Sequence, residues 1–181
     1  MQVLEATIKQ AERAVVTTRE SDPSRARELF ILGNQLSTRY GQTGNLQDLE
    51  AAIARTEEAV QEISQYHPNR AAMLSNLGTN LSQRYERTRH LQDLEAAIAR
   101  SGAAVEVTPE DHPDRPGRLS NLGNNLRTRY ELTGNLVDLA AAIARSEAAV
   151  EAMPVDHPER ARLLDNLGNH LGSRYERTGK L

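Results

Sequence analysis

The chain has 181 residues, 22 of them basic and 25 acidic, for a formal net charge of −3, which argues against nucleic-acid binding through bulk positive charge. It has no Cys, so disulfides, thiolate metal sites and cysteine nucleophiles are excluded. Aromatic residues make up only 3%, too little bulk for one large aromatic core. No apolar run approaches the roughly 18–20 residues of a membrane span, and the opening segment MQVLEATIKQ lacks the basic-then-apolar layout of a signal peptide.

One unit is written four times. Tyr40, Tyr85, Tyr130 and Tyr175 are 45 residues apart, as are Gly33, Gly78, Gly123 and Gly168. His67-Pro68, His112-Pro113 and His157-Pro158 keep the same step, and Asp22-Pro23 fills that slot in the first copy. Residues 46–90 and 91–135 agree at 26 of 45 positions, so the period is a property of the whole unit. We expect one continuous array over 1–181: a partial repeat 1–22, repeats at about 23–67, 68–112 and 113–157, and a partial repeat 158–181.

The apolar periodicity predicts eight helices in chain order, at 2–18, 24–41, 46–64, 69–87, 91–107, 114–132, 136–152 and 159–177. The first carries Leu4, Ile8, Ala11 and Val15 on one face. In the fourth, Leu74, Leu77, Leu81 and Tyr85 step by three or four; in the fifth, Leu94, Ala97, Ile98, Ala104 and Val105 form the stripe. Thr43-Gly44-Asn45 and Thr133-Gly134-Asn135 read as helix stops, with Gly in the left-handed position. Arg89-His90 replaces Gly-Asn in the middle copy, a weaker stop. Pro23, Pro68, Pro113 and Pro158 suit a first helical position, and Asp22 suits a cap. No segment alternates with period two, so no sheet is expected. Each helix pair has one apolar seam that it cannot bury alone, so the expected fold is all-α, a solenoid of stacked antiparallel pairs.

The residues resemble tetratricopeptide repeats. Leu74, Leu77, Gly78 and Leu81 fit that family's first-helix positions, and Ala97, Ala104 and Pro109 its second-helix positions. Ala142, Ala149 and Pro154 repeat the second set, as do Ala52 and Ala59, with Ser64 in place of the Pro. The family's second-helix aromatic is replaced by Thr56, Ser101 and Ser146. The elongated unit looks most like kinesin-light-chain-type repeats, and like arrays in fungal and bacterial multidomain receptor proteins. The resemblance implies a right-handed superhelix and a recognition or assembly module without chemistry of its own.

If Leu74, Leu77, Gly78 and Leu81 are buried, helical geometry puts 72, 76, 79 and 83 on the opposite arc. That arc carries Asn76 with Thr79, Asn121 with Asn124, Asn166 with Asn169, and Ile31 with Asn34. In the family resembled, first helices line the concave surface, so Asn34, Asn76, Asn121, Asn124, Asn166 and Asn169 are the candidate peptide-binding residues. Thr79 and Arg127 are possible secondary polar contacts. A side-chain amide both donates and accepts, so a row of them could hold an extended backbone. The same amides could instead bond between neighbouring helices. Asn80 and Asn125 sit nearer the helix seam and read as packing residues. The Lys/Arg clamp with which other tetratricopeptide domains hold a C-terminal carboxylate is missing: Ser75, Ser120 and Asp165 stand in its place.

Arg39, Arg84, Arg129 and Arg174 form a second stripe. It reads either as a track for acidic ligands or, better given the acidic excess, as cations paired with Asp48, Asp93 and Asp138. His67, His112 and His157 read as caps before Pro, one repeat apart and thus too distant to share a metal. We find no phosphate loop, nucleophile elbow or convergent acid pair. No catalytic residue, metal or cofactor is expected.

On the period, Met1 takes the slot of Leu46, and Leu181 the slot of the next second helix's first residue. The outermost helices keep repeat-like apolar faces, which suggests a piece of a longer array. The expectation is a non-enzymatic module that binds a protein or peptide on its concave face, with no nucleic-acid or membrane partner and a cytoplasmic location by default. The alternative is a spacer or scaffold that stacks head to tail within a larger receptor-like protein.

Overall fold

A computed structural model describes residues 2–179 of the chain. The described residues form eight helices and no strand: α1 (Gln2–Thr17), α2 (Arg25–Thr43), α3 (Leu46–Glu62), α4 (Arg70–Thr88), α5 (Leu91–Glu106), α6 (Arg115–Thr133), α7 (Leu136–Ala152) and α8 (Arg160–Thr178). Every boundary lies within two residues of its expected place. The slots assigned to Met1 and Leu181 lie outside the described residues. No helix among them is long and apolar enough to cross a membrane.

The chain falls into two compact units, Met1–Ala97 and Ile98–Leu181, with α5 divided between them. In the first, α1 packs on α2, α2 on α3, and α3 on α4. Its core joins Leu49 and Ile53 of α3, Leu77 and Leu81 of α4, and Ala97 of α5, flanked by Tyr40 and Leu46. In the second, α6 packs on α7 and α7 on α8. Leu119, Leu122, Leu126, Ala142, Ala149, Val150, Met153 and Leu163 make its core. Each fully buried Leu or Ile contributes about 1.5–3 kcal/mol, and in both units the contributors come from successive helices, as stacking requires.

Within a pair the helices approach closely. A Cβ on Gly33 would sit 2.6 Å from Thr56 Oγ1 and 3.2 Å from the Ala52 carbonyl. One on Gly123 would sit 3.1 Å from Ser146 Oγ and 3.2 Å from the Ala142 carbonyl. Thr56 and Ser146 are fully buried there, so the site where the repeat family carries an aromatic has no room for one. Thr56 turns its hydroxyl onto the Ala52 carbonyl, which leaves no orphan polar atom.

The prolines correct one expectation. They do not open the helices, which begin two residues later, at Arg25, Arg70, Arg115 and Arg160. Each Pro is the second residue of a four-residue turn, closed by the Arg N–H onto the carbonyl of Asp22, His67, His112 or His157. The fixed φ of Pro suits that position as well as it suits a helix start. The preceding side chain caps the turn: Asp22 Oδ1 accepts from Ser24 N, and the Nδ1 atoms of His67, His112 and His157 accept from the N–H of Asn69, Asp114 and Glu159.

The turns inside the pairs close as expected. Gly44 and Gly134 take φ +69° and donate to the carbonyls of Tyr40 and Tyr130. Asn45 and Asn135 then cap α3 and α7 through their side chains. Arg89 holds the same left-handed position at φ +60° and still donates to the Tyr85 carbonyl. A side chain there costs roughly 1–2 kcal/mol. Its exposed guanidinium lies 5.5 Å from the centroid of the buried Tyr85 ring, and because the cation stays hydrated this cation–π contact offsets about 0.5–1 kcal/mol. Backbone strain wins by this comparison, so Arg89→Gly should raise stability by about 0.5–1 kcal/mol in urea unfolding. A lowered midpoint would mean that the ring contact outweighs the strain.

One seam slot carries a polar residue in every repeat: Gln35, Asn80, Asn125 and His170. Asn80 Oδ1 accepts from Ser37 Oγ at 2.7 Å, and Asn125 Nδ2 donates to Ser101 Oγ at 3.2 Å. Both Asn are buried, as a packing role requires. In α8 the slot holds His170, fully buried, its Nδ1 2.9 Å from Ser146 Oγ. Burial, helped by the charge on Arg127, pushes the imidazole down to about 4 from 6.5, against a hydrogen bond that the ring donates to the Ala142 carbonyl. The folded chain thus keeps His170 neutral, while the unfolded chain protonates it first. Its stabilising contribution is complete above pH 6.5 and is lost as pH falls toward 4. His170→Asn, which restores the amide of the other repeats, should flatten the stability profile over that window, by about 3 kcal/mol at most. Thermal melts of both proteins across the window check this; parallel profiles would contradict it.

Candidate interaction surface

The outward arc of the first helices bears the candidate amides. In the first unit Asn34 lies on α2, and Asn76 and Thr79 on α4, all half-exposed. Asn76 Nδ2 donates to Asn34 Oδ1 at 2.9 Å, so these two amides join neighbouring first helices. That bond uses one N–H of Asn76 and the carbonyl of Asn34. Thr79 turns its hydroxyl back onto the Ser75 carbonyl.

In the second unit Asn121, Asn124 and Arg127 lie on α6, and Asn166 and Asn169 on α8. Asn169 is exposed and the others half-exposed. Asn166 Nδ2 donates to Ser120 Oγ at 2.9 Å. Arg127 pairs with Glu131 at 2.6 Å along its own helix. Among the described residues the side-chain amides of Asn121, Asn124 and Asn169 have no hydrogen-bond partner. Thr128 and Ser173 occupy the next turn, and their hydroxyls are spent on the carbonyls of Asn124 and Asn169. The free hydrogen-bonding capacity of this arc therefore resides in amides, which are neutral and both donate and accept.

The charges nearby are consumed internally. Arg39 meets Asp48 through two bonds, at 2.9 and 2.6 Å, and Arg84 and Arg129 repeat the fork on Asp93 and Asp138. The three Asp are buried. The Asp48 bond holds the Arg39 guanidinium well above its ordinary pKa, and the Asp93 bond does the same for Arg84. Arg39, Arg84 and Arg129 thus form an internal ion-pair series linking the two helices of a pair, whereas Arg174 Nε is buried without a partner. Such forks are the strong form of an ion pair, with geometry as well as charge satisfied.

Sequence reasoning missed a second arginine series. Arg25, Arg70, Arg115 and Arg160 open their helices and reach back to the C-terminal carbonyls of the preceding one. They donate to the carbonyl of Val15, to those of Val60 and Ile63, of Val105 and Thr108, and of Val150 and Met153. These carbonyls are the orphans and the negative pole of each second helix. The 45-residue recurrence was visible, but the partner is not local. Arg118 is a further buried cation, satisfied by Thr108 Oγ1 and Asp114. No group of three or more His, Asp or Glu among the described residues is placed to hold a metal ion.

The family model for the tetratricopeptide repeat matches residues 70–114 and 117–159. Two solved structures share the fold: the nearly identical TPR-like repeats of a Podosopora anserina protein ascribed to kinesin light chains, and a single-substitution variant of them. Each is 18% identical over 97% of this chain and 81% of its own, with TM-scores of 0.69 and 0.70. At that identity the likeness carries the fold alone. No curated protein matches closely enough to count as a relative. The period, the helix pairing and the family match agree: residues 70–114 and 117–159 are tetratricopeptide repeats, and the rest of the chain follows them at the same 45-residue step.

Proposed function

We propose that this chain is a non-enzymatic interaction module that holds an extended peptide, or an extended segment of a partner domain, against the amide row of its first helices. Tetratricopeptide repeats are in general protein-interaction modules, and their first helices line the concave face. What carries the reading further is the set of unengaged amides of Asn121, Asn124 and Asn169, on an arc where the neighbouring charges are already paired. An extended backbone presents an N–H and a C=O at every residue, and an amide meets either. Recognition of this kind follows the main chain and is tolerant of the ligand's side chains.

The test uses peptides selected from a random displayed library against the intact chain. Each amide bond lost costs about 0.5–1.5 kcal/mol, so the triple replacement of Asn121, Asn124 and Asn169 by Ala should weaken selected peptides by roughly tenfold or more. Methylating one backbone nitrogen of a bound peptide should weaken it further than most alanine replacements along it. Equal binding by the triple variant, with its helicity unchanged, would place recognition elsewhere.

A further inference from the structure

The third repeat departs from the others on its outer face. At the turn between its helices Leu132 takes the slot of Gln42, Arg87 and Arg177, and Val137 takes that of Gln47 and Gln92. Further along α7, Ala140 replaces Glu50 and Glu95. Leu132, Leu136 and Val137 are 50%, 47% and 72% exposed. The exposure belongs to the slots themselves. In α3, Gln47, Glu50 and Ala54 are exposed although α4 and the start of α5 follow in the same unit. The outward stripe of α7 is Val137, Ala141, Ala144 and Ala148, stepping by four, three and four, which is the spacing of a helix-pairing seam. Ala144 is exposed, and Ala141 and Ala148 are half-exposed with one side on the core. The same stripe in α3 begins with Gln47 and ends with Glu58.

Two features select what covers this stripe. Its N-terminal end is bulky, with Leu136 and Val137, and the rest is Ala alone, so the shape that fits it is the same stripe reversed. Glu151, next in the seam and exposed, stands in the last turn of α7, where no basic residue offsets it. A carboxylate is unfavourable at that negative pole. On a reversed copy it falls beside the N-terminus of the other α7, the positive pole, where a Cβ on Gly134 would meet nothing within 4 Å and space is therefore open. We propose that α7 pairs antiparallel with α7 of a second copy, Val137 of each against Ala148 of the other and Ala141 against Ala144. The contact is isologous, so it closes at a dimer. It uses second helices, so the amide row on the first helices stays free and the dimer carries two of them. One helix face is smaller than the roughly 1,200–2,000 Å² of a stable specific interface, so the dimer is a weak one.

Sedimentation equilibrium on the full chain, from micromolar to millimolar concentration, should show reversible dimerisation and no larger species. Val137→Gln with Ala140→Glu restores the residues that the first two copies carry in the same exposed slots. The melt should therefore be unchanged, while a charge brought to the seam weakens dimerisation by roughly tenfold or more. The chain has no Cys, so cysteine probes report this contact alone. Under mild oxidation a mixture of Val137→Cys and Ala148→Cys should form the crossed disulfide, and neither variant alone should. In an antiparallel seam like positions lie eleven residues apart along the helix, about 16 Å, too far for a disulfide. Three results would overturn the proposal: a strict monomer at millimolar concentration, an equally strong dimer in the Gln/Glu variant, or a disulfide in Val137→Cys alone. Loss of peptide binding by the Asn variants has no bearing on any of them.

Discussion

Two helices lie so close that one of them can carry no side chain at the crossing. This contact, Gly33 against the Ala52 backbone and Thr56, and Gly123 against Ala142 and Ser146, governs much of the rest. It requires Gly in the first helix and small residues in the second, and it draws the pair tight enough for the Arg39–Asp48 fork to form beside it. A methyl group on Gly33 would meet a carbonyl and a hydroxyl whose helix is already held by its own packing, so neither has room to yield. The low aromatic content follows from the same constraint. A pair this close leaves gaps that Ala, Leu and Ile fill, and the bulky slot of other tetratricopeptide repeats is closed off.

Polar side chains are sorted by their angle around the first helix. One residue separates buried Asn125 from half-exposed Asn124, and that step of about 100° decides their roles. On the seam Ser37 satisfies Asn80 and Ser101 satisfies Asn125, whereas Gln35 Oε1 in the same slot is buried without a partner. His170 shows how permissive the seam slot is: any side chain that can meet a hydroxyl fits, provided it arrives uncharged. Burial enforces that neutrality, since a cation in the slot would lack the anion it needs.

Much of this was legible in the sequence because its signals are local. Gly44, Gly134 and the capping Asn residues fix the turns by their own backbone preferences, so helix ends fell within two residues of expectation. The Leu and Ala stripes gave the buried faces by periodicity alone. The prolines misled by two residues because one fixed φ serves both a helix start and the second position of a turn. Arg25 and its equivalents were opaque for a different reason: a cation at a helix N-terminus opposes its own dipole, and its purpose lies at the end of another helix. The Asn34–Asn76 bond was likewise unreadable, since it depends on the register between helices from different repeats.

The consumption of charge shapes what the surface can do. Arginines that could have drawn an acidic ligand are forked onto buried aspartates or spent on helix ends, so long-range attraction has little to act on. Recognition by neutral amides is short-ranged and weak per contact, about 1 kcal/mol for each bond. Four such bonds give an affinity only near millimolar. A single repeat therefore cannot serve as a binding site by this chemistry. On the proposed reading repetition answers that weakness: each repeat that leaves an amide unengaged adds a contact, and once one segment of an extended ligand is held, the next binds without a new loss of translational freedom. The tight Gly-mediated pairing that fixes the register is thus also the condition under which weak amide contacts sum.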